Sequence, residues 1–103
     1  SEFEVVREAA NGEEAWEWAL RLEPDVILMD LNMPRMNGIE ATKRVKQDLP
    51  DTQVIGLSLH DDTQLSSAMI TAGAVQYLTK GGPPEELYQA MRAAAARRPG
   101  DPA

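Results

Sequence analysis

The residues able to do chemistry in this chain stand at the ends of three short apolar runs. Asp30 closes Val26-Ile27-Leu28-Met29, Ser58 closes Val54-Ile55-Gly56-Leu57, and Lys80 follows the run that ends at Thr79. Apolar runs this short read as strands buried on both faces. A polar residue at the last position of such a strand is lifted out of the core at the carboxyl edge of the sheet, where open α/β folds keep their ligand sites. Taken singly, each residue has a plain structural explanation: a turn-capping aspartate, a strand-end serine bonded to backbone, a solvated lysine. As an ordered set of acid, hydroxyl and lysine at three successive strand ends they suit the handling of a phosphoryl group. An aspartate carboxylate is a competent acceptor that forms an acyl phosphate.

The elements that must position this set follow from the spacing of apolar and turn residues. Residues 3–9 alternate around Phe3, Val5 and Val6 and read as a strand. Asn11-Gly12-Glu13-Glu14 supplies a cap residue followed three positions later by Glu, a capping-box-like helix start. The helix after it presents Ala15, Ala19 and Leu22 on one face, with Trp16 and Leu20 beside it, and stops at Glu23 because Pro24 disfavours helical geometry there. A second helix carries Ala41, Thr42, Val45 and Leu49 on one side and ends at Pro50. In the third, Leu65, Ala68, Met69 and Ala72 fall at i, i+3, i+4 and i+7, with Gly73 as the C-terminal cap. Residues 74–79 form a strand, and Leu87, Ala90, Met91 and Ala94 repeat the helical spacing after Pro83-Pro84, where proline suits the first turn. Strands alternating with helices predict a parallel sheet with right-handed crossovers.

Composition narrows the classes. A chain of 103 residues with 43% hydrophobic and 26% charged residues is one domain with a core of its own. It has no cysteine, so it holds neither a disulfide nor a thiolate metal site, a composition compatible with the cytoplasm. No membrane-length apolar segment is present. The net charge of −7 argues against direct nucleic-acid binding, which needs a clustered basic surface. Residues 98–103 read as a frayed tail.

Asp30, Ser58 and Lys80, with Pro34 and Gly38 in the loop after Asp30 and Tyr77 three positions before Lys80, resemble the receiver domain of two-component response regulators. Leu57-Ser58-Leu59-His60-Asp61-Asp62 and Tyr77-Leu78-Thr79-Lys80-Gly81-Gly82 look most like the NarL/FixJ branch. The resemblance covers residues 1–97 and implies a flavodoxin/CheY-like open parallel sheet with helices on both faces. It implies that Asp30 accepts a phosphoryl group from a sensor histidine kinase and ligates Mg²⁺ together with the backbone carbonyl of Asn32. Lys80 and Ser58 would contact the phosphoryl oxygens, and Tyr77 would be the switch aromatic that follows Ser58. It implies a phosphoacceptor, with weak autophosphatase activity at most, and not an enzyme. Relatives in this branch usually carry a DNA-binding output domain, and the resemblance leaves a homodimer open for this chain.

The sequence also departs from the pattern. Receivers begin with a strand ending in a pair of acids, followed by a helix, whereas residues 3–9 match the family's second strand. The expectation is therefore an N-terminally truncated receiver with four βα units, in which Mg²⁺ binding is weak or absent because Asp30 alone remains of the metal carboxylates. This leaves an alternative: a pseudo-receiver, the same fold serving as an interaction module that is not phosphorylated. An aspartyl-phosphate hydrolase fits less well, since Asn32 stands where such enzymes use a second aspartate, and no G-x-G-x-x-G follows a strand to suggest a dinucleotide site.

Overall fold

The structure, a computed structural model, describes residues 11–30, 38–58, 63–79 and 81–96. Within them the order is α1 (Gly12–Leu22), β1 (Val26–Asp30), α2 (Gly38–Asp48), β2 (Gln53–Ser58), α3 (Thr63–Ala72), β3 (Gln76–Thr79) and α4 (Pro84–Ala96). The described strands form a parallel sheet in the order β1-β2-β3. This is the α/β alternation expected from the apolar spacing; the strand expected over residues 3–9 lies outside the described residues.

The local signals work as their chemistry requires. The Asn11 side chain accepts from the Glu14 backbone N–H at 2.9 Å and caps α1. Glu23 adopts a left-handed conformation (φ 45°) and donates its N–H to the Ala19 carbonyl at 2.8 Å, which ends the helix before Pro24. Gly73 (φ 117°) ends α3 and Pro84 opens α4, both as anticipated. Two apolar positions expected on or beside the buried face of α1 are exposed: Leu20 at 42% and Leu22 at 55%. Just past this end of α1, Pro24 is buried, after the left-handed turn at Glu23. The third strand also starts later than expected, at Gln76 and not at Ala74.

Two cores sandwich the sheet. Ile27, Met29 and Val54 pack with Ala15 and Ala19 of α1, Ala41 and Val45 of α2, and Met69 of α3. Val26, Ile55 and Leu78 pack with Ala90, Met91 and Ala94 of α4. Since successive strand residues point to opposite faces, this division puts helices on both faces, as expected. Val45, Val54, Ile55 and Met69 are completely buried, and burial of each such side chain stabilises the fold by about 1.5–3 kcal/mol.

Candidate functional site at the carboxyl edge of the sheet

The register decides which strand ends meet. Asp30 pairs with Leu57, and Ser58, one residue further along β2, pairs with Thr79, the last residue of β3. Asp30 and Ser58 therefore terminate adjacent strands with an offset of one residue, and Lys80 follows Thr79 directly in the sequence. Asn32 and Lys80 lie outside the described residues, as do His60, Asp61 and Asp62.

Alternation also separates the two polar groups. Asp30 shares its face with Leu28 and Leu57, the side covered by α4, whereas Ser58 shares its face with Val54 and Tyr77, the side covered by α1, α2 and α3. A carboxylate from one face and a hydroxyl from the other flank the edge. A group that engages both must sit at the edge itself. Ser58 is 2% exposed, whereas Asp30 is half-buried.

Tyr77 is half-buried and packs against the first core. It pairs with Gly56, two residues before Ser58 in β2 and on the same face. A Cβ at Gly56 would lie 2.8 Å from Met69 Cε and 3.5 Å from Tyr77 Cδ1. The glycine thus lets a methionine and an aromatic ring close over the strand beside Ser58. The sequence reading missed this role, because a glycine inside an apolar run signals close approach without naming its neighbour. It also passed over Thr79, whose position opposite Ser58 depends on a register that no local pattern reveals. On the α4 side of the same edge, a cavity of about 410 Å³ is lined by Leu57, Leu78, Thr79, Gly81, Gly82, Pro83, Pro84, Glu86 and Leu87.

An octahedral Mg²⁺ site draws on one or two carboxylates, with carbonyls and waters completing the shell. Asp30 is one such donor. Among the described residues, however, no group of three or more His, Cys, Asp or Glu side chains is placed to hold a metal. The described residues alone do not build the metal site that the resemblance implies.

The chain matches the response regulator receiver domain family over residues 1–92. It belongs to that family. The receiver is 44% identical over 94 residues to the transcriptional regulatory protein DegU of Brevibacillus brevis, covering 91% of this chain and 40% of that protein. Among solved structures, a LuxR-family two-component response regulator from Aurantimonas sp. SI85-9A1 superposes with a TM-score of 0.82 at 37% identity, covering 91% of this chain and 68% of that one. The signal receiver domain of a NarL response regulator from Mycobacterium tuberculosis gives 0.81 at 33% identity, covering 91% and 77%. These relatives agree with the NarL/FixJ-like assignment. The receiver spans less than half the length of the curated relatives it matches. No helix among its described residues is long and apolar enough to cross a membrane.

Proposed function

We propose that this receiver, over residues 1–97, accepts a phosphoryl group on Asp30 from the phosphohistidine of a sensor kinase, and passes the charge change to an output surface. The observation that carries this reading is the register at the carboxyl edge, where Asp30 and Ser58 end neighbouring strands and Lys80 follows the end of the third. A carboxylate oxygen of Asp30 attacks phosphorus and forms the acyl phosphate. The phosphorus–nitrogen bond breaks, and the imidazole nitrogen retains the electron pair. Such a transfer is mainly positioning and charge neutralisation: Ser58 donates its hydroxyl to one phosphoryl oxygen and Lys80 brings a positive charge to another. Asp30 and the Asn32 carbonyl would be the Mg²⁺ donors of this proposal, with waters completing the shell and binding weak or absent for want of the family's acidic pair.

Movement of Ser58 toward the phosphoryl group opens space on the face where Tyr77 lies, and the ring turns inward. The altered surface comprises α3, β3 and α4, a two-state element biased by a local change in charge. The receiver is a phosphoacceptor and not an enzyme with turnover. Its partners in this reading are a sensor histidine kinase and a DNA-binding output domain of the kind that transcriptional regulators carry, in the cytoplasm.

The test is intact-mass measurement after incubation with Mg²⁺ and acetyl phosphate, alongside Asp30→Asn. One added phosphoryl group on the parent and none on the variant is the expected result. Label that persists in Asp30→Asn moves the acceptor elsewhere. A folded parent that gains no mass is instead an interaction module built on the receiver scaffold.

A further inference from the structure

We propose that Met69 is a positioning residue that couples the first turn of α2 to the ring of Tyr77. Its meaning for signalling rests on the function proposed above; the coupling itself does not. Gly38, the first residue of α2, follows the segment that leads out of Asp30. One turn on, the fully buried Thr42 donates its hydroxyl to the Gly38 carbonyl at 2.7 Å. That short bond takes the single hydroxyl proton, so the Met69 sulfur, 3.8 Å from the same oxygen, is held there by packing.

The other end of the Met69 side chain reaches the sheet. Its Cε fills the space that a side chain at Gly56 would occupy, at 2.8 Å from the position of a Cβ whose other neighbour is Tyr77 Cδ1 at 3.5 Å. Met69 is completely buried. One thioether therefore spans from the first turn of α2 to the Gly56–Tyr77 pair, on the face that carries Ser58.

The chemistry of methionine suits the task. It is unbranched, with several soft torsions, and follows a moving neighbour where a β-branched residue would resist. In a close-packed interior a gap forfeits dispersion contacts outright, so displacement on one side is followed on the other. When the start of α2 shifts, Thr42 shifts with it, the sulfur follows, and Cε moves in the slot above Gly56 that the Tyr77 ring borders. Tyr77 thus responds to two inputs: the end of β2 at Ser58 and the first turn of α2 through Met69. The slot at Gly56 is what brings the second input within reach.

The experiment reads the ring directly. The chain has two tyrosines; Tyr88, 59% exposed, is replaced by Phe so that 3-fluorotyrosine incorporation labels Tyr77 alone for ¹⁹F NMR. Thr42→Val, which keeps the shape but removes the bond to Gly38, is expected to shift the Tyr77 resonance, and that shift is expected to be lost when Met69→Leu is added. Met69→Leu nearly conserves volume. Should it fail to fold, ¹³C-methyl-methionine labelling replaces it, with Thr42→Val expected to shift the Met69 methyl and the Tyr77 ring together. A Tyr77 resonance indifferent to Thr42→Val, or an equal shift with and without Met69, overturns the proposal, as does a ring shift without a Met69 methyl shift in Thr42→Val. None of these readings needs phosphorylation, so failure of Asp30 to take a phosphoryl group in the mass experiment is seen separately. Where phosphoryl is taken, Met69→Leu is expected to accept it to the parent's extent while the Tyr77 response to it shrinks.

Discussion

At the starts of the strands, side chains are committed to the backbone. Thr52 donates its hydroxyl to the Pro24 carbonyl at 2.9 Å, and Lys46 donates from Nζ to the carbonyls of Pro50 and Thr52 at 2.8 and 2.7 Å. The Gln53 N–H donates to the Asp25 carbonyl at 2.9 Å, tying the entry to β2 onto the entry to β1. At the other ends of the same strands stand Asp30, Ser58 and Thr79. Acid and hydroxyl residues occur at both edges. The edges differ in what their loops offer: those at the starts present the carbonyls that Thr52 and Lys46 satisfy, whereas the carboxyl edge is where open α/β folds keep their ligand sites. Residue type alone therefore does not tell the two edges of this sheet apart; position along the strand does.

The largest expected contrast uses the two aspartates that flank β1. Asp25 precedes the strand and is exposed; Asp30 ends it. Asp25→Asn is expected to leave phosphoryl uptake from acetyl phosphate at the parent's level, while Asp30→Asn abolishes it, with intact mass as the readout. Equal loss in both variants would sink the division between the edges, because it would mean that the whole strand and not its carboxyl end governs uptake.

The second contrast belongs to the structural edge. Gly73 holds φ 117°, where a side chain is strained, and a Cβ there would meet Lys46 Cγ at 2.7 Å. Lys46 cannot give way freely, since its amine is bonded to two loop carbonyls. Gly73→Ala is therefore expected to cost about 2 kcal/mol in urea unfolding, from backbone strain together with the crowding of Lys46. The fraction of folded protein that takes up phosphoryl is expected to stay at the parent's level.

These examples show which features were legible in the sequence. Cap chemistry is local, so Asn11, Gly73 and Pro84 could be assigned from their neighbours. Helix faces follow a fixed period, so Met69, Ala72, Ala90, Met91 and Ala94 were recognised as core. Leu22 fits the same period yet is exposed, because what lies beside a helix end depends on where the chain turns next. The candidate site was readable as residue types at strand ends, since burial dictates short apolar runs. Its geometry was not: the pairing of Asp30 with Leu57 and the placing of Ser58 beside Thr79 and of Met69 against Gly56 are contacts between segments distant in sequence. The Lys46 bonds were hidden for a related reason, since nothing in the sequence distinguishes a lysine that bridges a loop from one in solvent.

The smallest expected effect on stability gives the sharpest comparison, because it pairs two hydroxyls at opposite ends of one strand. Thr52 immediately precedes β2 and is 4% exposed; Ser58 ends it and is 2% exposed. Thr52→Val removes the bond to Pro24 and leaves that carbonyl without its side-chain donor, at an expected cost of about 1–2 kcal/mol. Ser58→Ala removes a buried hydroxyl of similar worth and is expected to cost about 1 kcal/mol by the same measurement. Stability therefore hardly distinguishes the two variants. Phosphoryl uptake does: Thr52→Val is expected to react at the parent's rate, whereas Ser58→Ala slows by about tenfold or more, the magnitude of a donor aimed at developing phosphoryl charge. Equal rates in the two variants would make Ser58 a structural hydroxyl like Thr52 and remove it from the proposed site.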